Sequence, residues 1–350
     1  GALPAGAEPC RAGLLRGLEA AGLWRAAGRG WRDRTQLAEL LADVQAQLGS
    51  EAPAVPGPPP LLLARLLAAD LPALLLAALG ALEFEERKAA ARLAEDLLAA
   101  GPQRGPAAGR QVCHYLRGRP EVADLLLRGC RSGELAFLCG GLLCACARDA
   151  AVAALLLEEG VPLRLARTAR GASCFEVATT ALATLQEVLV GGAQASVAYL
   201  LDKFHEIFTV FNDLLQAEDY ALKRQALSVL GRVLLSPGFG RVMSRYSSSA
   251  RSLKVQMTLL LHPTATVKVG AFHIFKIFVA NPQKQPAVQE ILYRNREGLE
   301  RLLRSLAREP CAWGDEDLLE DLEAISAAVA VVRRPGGPGS PRRRSPPASP

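Results

Sequence analysis

Apolar residues recur at helical spacing along this chain, almost without interruption, from residue 61 to about residue 332. No segment alternates apolar and polar positions for long enough to make a strand, so the pattern predicts an all-α protein. The densest stretch, residues 253–282, reads LKVQMTLLLHPTATVKVGAFHIFKIFVANP. It predicts two helices meeting at a proline corner. His262-Pro263 ends the first, because proline lacks the N–H that the helical ladder needs and disfavours helix in the residue before it. The second begins near Ala265 and stops at Asn281-Pro282. Within it Ala271, Ile274, Phe275 and Phe278 fall at helical spacing, while Val269, Phe272 and Val279 cover a neighbouring face. A helix apolar over most of its circumference belongs between other helices, as the inner helix of a stacked repeat.

The repeat itself is visible. Ala181, Ala226 and Ala271 lie 45 residues apart, and each carries the same surroundings: Leu182, Leu227 and Phe272; Leu185, Leu230 and Phe275; Val188, Val233 and Phe278. A shifted copy places Cys139, Gly140, Leu143 and Cys146 42 residues before the first set, and a fainter copy lies near residues 84–98. A period of about 40–47 residues with two or three helices per unit marks the armadillo/HEAT class. Such units cannot bury their apolar faces alone. They stack into a helical-repeat solenoid whose concave side is an extended binding surface. The expected layout is a pair of N-terminal helices with a loose start (1–50), broken near Gly28–Gly30, and then a proline-rich linker, EAPAVPGPPP (51–60). An armadillo-like solenoid (61–332) follows, and a basic Pro/Ser tail (333–350) closes the chain with no apolar content to fold around. Asp70 is the expected N-cap of a helix over 71–82, with Pro72 in its first turn. Trp313 to Asp317 opens a last helix, with acidic residues at its positive end.

Composition adds limits. Hydrophobic residues make up 50% of the chain and aromatics 5%, as suits closely packed Leu/Ala helices. The formal charge of +6 invites a nucleic-acid reading, but five arginines (333, 334, 342, 343 and 344) lie in the tail. Removing those five from 41 basic residues leaves 36 against 35 acidic ones, so a nucleic-acid partner is not expected. The longest uncharged apolar run, 71–82, has twelve residues, short of the roughly 20 needed to span a bilayer; no membrane partner is expected. Glu8, Arg11, Arg16, Glu19 and Arg25 interrupt the first thirty residues, which carry no leader-like apolar stretch. The chain opens on Gly rather than Met, as a fragment or processed form would. Of eight cysteines, Cys139, Cys144 and Cys146 share one apolar helix, where burial fits better than crosslinking. With no N-x-S/T sequon, a reducing, cytoplasmic location is the expectation.

Catalytic chemistry finds little footing. The four histidines, His114, His205, His262 and His273, form no H-E-x-x-H and share no zinc-like spacing with cysteine. Gly238-Phe239-Gly240 lacks the third glycine and preceding strand of a dinucleotide fingerprint, and no P-loop occurs. The carboxylates at 83–86 and 315–321 lack the alternation and central glycine of an EF-hand. No catalytic residue, metal or cofactor is expected. Binding would rest on residues standing between the apolar positions of the inner helices: Phe175, Tyr220, Lys223, Arg224, Lys254, Lys268 and Arg294. Aromatic and arginine side chains along a groove are the usual interface anchors. The same residues serve equally well as repeat packing and solvated helix face.

AFHIFKIFVANPQK (271–284), DYALKRQALSVLG (219–231), SLKVQMTLLL (252–261) and EILYRNREGLERLL (290–303) resemble, in this order, the calcium-binding protein 39 (Mo25-like) scaffold family. The likeness is strong from Phe175 to Leu306 and weaker from Leu61. It implies a non-catalytic cytoplasmic scaffold, a monomer outside its complexes. Such a scaffold binds STE-group kinases, namely the STRAD pseudokinase with the liver kinase, and germinal-centre kinases, and it holds the kinase fold in its active conformation. It also implies a pocket for a C-terminal Trp-Glu-Phe peptide. Carried over residue by residue, Lys254, Met257 and Arg294 match that pocket, with Arg294 in place of a lysine; Phe175, Tyr220 and Arg224 match the kinase groove. Ser228 stands where the family has lysine, and Pro237 and Gly240 stand where it has arginine and phenylalanine. No loop supports the calcium of the family's name.

Overall fold

The computed structural model describes residues 7–22, 35–50, 61–99, 105–310 and 314–335, and among these it forms α-helices and no strand. After α1 (Ala7–Ala20) and α2 (Thr35–Ser50), the helices come in threes. α3 (Leu61–Ala68), α4 (Leu71–Ala78) and α5 (Phe84–Leu98) make one set, and α6 (Gly105–Gly118), α7 (Glu121–Gly129) and α8 (Ala136–Ala147) the next. α9 (Ala150–Glu158), α10 (Val161–Gly171) and α11 (Phe175–Gly191) follow, then α12 (Ala193–Asp202), α13 (Phe204–Leu215) and α14 (Tyr220–Leu235). The last full set is α15 (Gly240–Tyr246), α16 (Ala250–Leu259) and α17 (Ala265–Ala280), before the long α18 (Pro286–Leu306) and α19 (Glu316–Ala330). Three helices per period is the armadillo arrangement.

The chain divides into two compact units, 1–213 and 214–350. In the first, helices of like position stack in rows: α1, α4, α7 and α10; α2, α5, α8 and α11; α3, α6, α9 and α12. In the second, α14 packs on α17 and α17 on α19, while α16 packs against α17 and α18. The 45-residue register is the register of the third helices. Ala181, Ala226 and Ala271 are fully buried in α11, α14 and α17, as are Leu185, Leu230 and Phe275 one turn on. Close approach of neighbouring helices along a row depends on missing side chains: a Cβ on Gly140 of α8 would lie 2.7 Å from Thr184 Oγ1 of α11, and one on Gly191 of α11 would overlap the Ala147 carbonyl oxygen of α8.

Local chemistry sets the helix ends. Asp315 accepts the Leu318 N–H at 2.9 Å and starts α19. Asn281 closes α17: its side chain donates to Ser247 Oγ at 2.9 Å and accepts the Gln283 N–H at 2.8 Å. Three expectations shift. α1 begins at Ala7, inside the stretch expected to be loose. The helix expected over 71–82 ends at Ala78. Asp70 does occupy its N-cap but in the left-handed region, at φ 58°, and its carboxylate makes no cap bond. Instead Tyr115 Oη donates to Asp70 at 2.7 Å and accepts the Ala73 N–H at 3.2 Å, so a tyrosine from α6 relays the cap. Burial and the Asp70 carboxylate push the Tyr115 hydroxyl well above its ordinary pKa, which keeps it a donor. The linker 51–60, the break at Gly28–Gly30, Trp313 and the tail beyond residue 335 lie outside the described residues. Among the described residues no single helix is long and apolar enough to cross a membrane.

Candidate functional site

The side chains expected in a kinase groove lie at corresponding places on two third helices. Phe175 is the first residue of α11, in the first unit, and is 53% exposed. Tyr220, 45 residues later, is the first residue of α14, in the second unit, and is 41% exposed. Large aromatic rings left open at the start of a helix do not fill the repeat's core.

In the second unit, Asp219 accepts the Leu222 N–H at 2.8 Å and starts α14, which places Tyr220 in the first turn. Its ring stacks at 25° on His262, with centroids 6.5 Å apart. His262 Nδ1 accepts the Thr264 N–H at 3.1 Å at the proline corner. Burial, then the Lys223 ammonium, hold that imidazole below its ordinary pKa. Arg224 follows one turn along the same face of α14 and is exposed. From Arg224 an open groove of about 650 Å³ runs between α14 and α17. Its floor is apolar, from Leu227, Val269 and the half-exposed Leu235. Ser228 and Pro237 line it as well, so two of the three positions where the resemblance implied other residues face the same space as Arg224. The third, Gly240, is exposed at the start of α15. His273 lines the groove too; burial and Lys276 lower its pKa against the opposing pull of Asp321 and Asp315, which favours neutral imidazole.

The three positions expected to hold a peptide sit on two helices that pack together. Lys254 and Met257 stand one turn apart on α16, exposed and half-buried respectively. Beneath them Gln256 is fully buried and donates to Tyr246 Oη at 3.2 Å, which anchors α16. Arg294 is on α18, 72% exposed, and its Nε donates to Glu290 Oε1 at 2.6 Å one turn back. A carboxylate ligand there would have to compete with Glu290. Lys268 is also engaged, with its ammonium on Glu309 at 2.5 Å, which removes it from the set of open cations. Sequence reasoning missed Leu235, Val269 and His273 in the groove, and the Arg296 guanidinium stacked 4.5 Å over Tyr293 on α18. The signal for the last pair was present in the spacing Tyr293-x-x-Arg296, which puts both on one helix face.

Among the described residues no group of three or more His, Cys, Asp or Glu side chains could hold a metal ion. Cys139, Cys144 and Cys146 do share α8, and none is disulfide-bonded. Burial pushes the Cys139 thiol up to about 11 and, with Glu95 and Cys144 adding to it, Cys146 up to about 12. Thiolate is the reacting form, so a maleimide at neutral pH is expected to modify exposed Cys174 well before Cys130, Cys139 or Cys146. Peptide mapping by mass spectrometry checks the order; early modification of Cys139 would show that α8 is not buried as described.

A family model described as Mo25-like matches residues 32–330. A Mo25-like protein of Schizosaccharomyces pombe is 35% identical over 230 residues, covering 66% of this chain and 68% of its own. A calcium-binding protein 39-like protein of Homo sapiens is 29% identical over 235 residues, covering 67% and 68%. Among solved structures, a computationally designed armadillo repeat protein for modular peptide recognition overlays with a TM-score of 0.43 and 15% identity, over 76% of this chain and 98% of that one. So low a score carries no argument; the armadillo assignment rests on the stacked rows themselves.

Proposed function

This chain belongs to the Mo25-like family, and we propose that it is a non-catalytic cytoplasmic scaffold that binds STE-group kinases or the STRAD pseudokinase and stabilises the active kinase conformation. One observation carries the reading: the open face of α14, where Tyr220 and Arg224 stand one turn apart beside an exposed apolar groove. Aromatic and arginine anchors flanked by apolar surface are what a protein partner desolvates on binding. The scaffold acts by population shift, and favours the active conformer only as far as it binds that conformer better. The test is a titration into the STRAD pseudokinase and a panel of germinal-centre kinases, reading binding and kinase activity together. Binding with a rise in activity supports the scaffold; absence of binding to any of them sinks it.

The groove also favours a second reading, an armadillo-type peptide-binding adaptor without kinase activation. Ser228 and Pro237 line it where the family has lysine and arginine, so two cationic anchors are missing from the surface that would grip a kinase. Binding without activation in the same titration would select this reading.

In both readings Lys254, Met257 and Arg294 receive a C-terminal Trp-Glu-Phe peptide. Met257 supplies an adaptable apolar wall for the aromatic end, and the two cations supply charge-assisted bonds to the Glu and the terminal carboxylate. Met257→Ala is expected to weaken that peptide about tenfold, roughly 1.4 kcal/mol. A calorimetric titration that returned the wild-type affinity would remove Met257 from the pocket.

A further inference from the structure

A second cavity, of about 460 Å³, lies wholly within the first unit, between α7, α10 and the start of α11. Arg128, Arg131, Arg164 and Arg167 all line it. Nothing in the sequence groups these residues: two come from the end of α7 and the turn after it, two from α10. Arg128 is explained in part as a cation in the last turn of its helix, where the dipole favours it. That account does not reach Arg131, beyond the helix, nor the convergence of all four on one space.

The charges do not cancel. Arg164 pairs with Asp124 at 2.6 Å and Arg167 with Glu206 at 3.0 Å. Arg128 and Arg131 are exposed and have no carboxylate partner among the described residues. Four guanidinium groups against two carboxylates leave a surplus of two positive charges at the cavity. The rest of its lining suits an anion as well. Thr168 and Ser173 add hydroxyls. Cys174, on the rim, occupies the N-cap of α11 without making a side-chain cap bond, so the positive end of a 17-residue helix opens beside the arginines. Leu127 and Val177 contribute an apolar wall.

We propose that this cavity is a phosphoryl-binding site that receives a phosphorylated segment of a partner protein. A phosphorylated side chain carries about −1.5 to −2 at neutral pH, which matches the surplus, and presents three acceptor oxygens to forked donors. Arginine binds such oxygens in bidentate pairs. The cavity exceeds the size of a bare phosphate and has an apolar wall, so it accommodates the residues flanking the phosphorylated one. The site shares no lining residue with the α14–α17 groove and does not depend on the function proposed above.

The test uses the full chain, immobilised, and a degenerate nonapeptide library with a fixed central phosphoserine, beside the same library carrying serine. The wild-type chain is expected to retain the phosphorylated library about tenfold more strongly, as loss of charge-assisted bonds implies, and inorganic phosphate is expected to compete. Arg128→Ala/Arg131→Ala should erase the preference and leave the melting temperature unchanged, since both side chains are exposed. Arg241→Ala/Arg301→Ala, which removes two exposed arginines of the other unit, should preserve it. Equal retention of the two libraries overturns the proposal, as does an unchanged preference in Arg128→Ala/Arg131→Ala or an equal loss in the control variant. Binding to phosphatidylserine vesicles without retention of the phosphorylated library would overturn the peptide as occupant.

Discussion

Phe275→Ala is expected to cost the second unit about 3–5 kcal/mol, the usual range for deleting a fully buried phenylalanine from a core. Phe275 has no exposed surface and sits at the middle of α17, which packs on α14, α16 and α19 at once. Its neighbours are stiff. Phe272 and Phe278 flank it along the helix, and Phe278 is itself held 5.5 Å from the buried ring of Tyr246. Packed rings of this kind collapse poorly onto a cavity, so the loss should fall toward the top of the range. Native-state hydrogen exchange reads it directly: amides of α14, α17 and α19 should lose protection together. A change below about 1 kcal/mol would show that α17 is not the element around which this unit is built.

Arg224→Glu is expected to weaken binding of the STRAD pseudokinase by about a hundredfold, near 2.7 kcal/mol. The substitution removes an anchor at the end of the α14–α17 groove and replaces it with the opposite charge, which penalises an acidic partner surface as well as losing the attraction. Because Arg224 is exposed and makes no ion pair among the described residues, the fold should be untouched and the melting temperature constant. The same variant should leave the Trp-Glu-Phe peptide unaffected, since Lys254 and Met257 are on α16. Wild-type affinity for the pseudokinase would remove the groove from the interface, whatever the peptide does.

Much of the fold was legible because the repeat is a local signal. The spacing of Ala181, Ala226 and Ala271 named the third helix of three successive units, and the buried residues around each are those the pattern singled out. His262-Pro263 and Asn281-Pro282 marked the ends of α16 and α17 to within a few residues, because proline acts on the backbone of its immediate neighbours. The reading failed where a distant residue intervened. Asp70 has the identity and position of an N-cap, yet its carboxylate is taken by Tyr115 and Arg119, more than forty residues away. Lys268 looked like an open cation until Glu309, 41 residues on, was found against it.

The candidate sites divide the same way. Their residue types were visible in the family's motifs, and exposure of Phe175 and Tyr220 accords with an interface. The groove's floor was not visible, because Leu235 and Val269 look like any other apolar residues of an inner helix until the packing of α14 on α17 leaves them open. Nor was the arginine cavity, whose four side chains come from separate elements.

The amino-acid sequence by itself determined that this chain is all-α, that its helices recur every 42–45 residues, and which faces are buried, since periodicity and proline punctuation act over a few residues of contiguous chain. The tertiary structure alone decided the division into two units, the tyrosine that caps α4, the pairing of Lys268 with Glu309, and which apolar and cationic side chains stay open to a partner. Those outcomes depend on how helices stack, and on which charges then meet, and no local pattern records either.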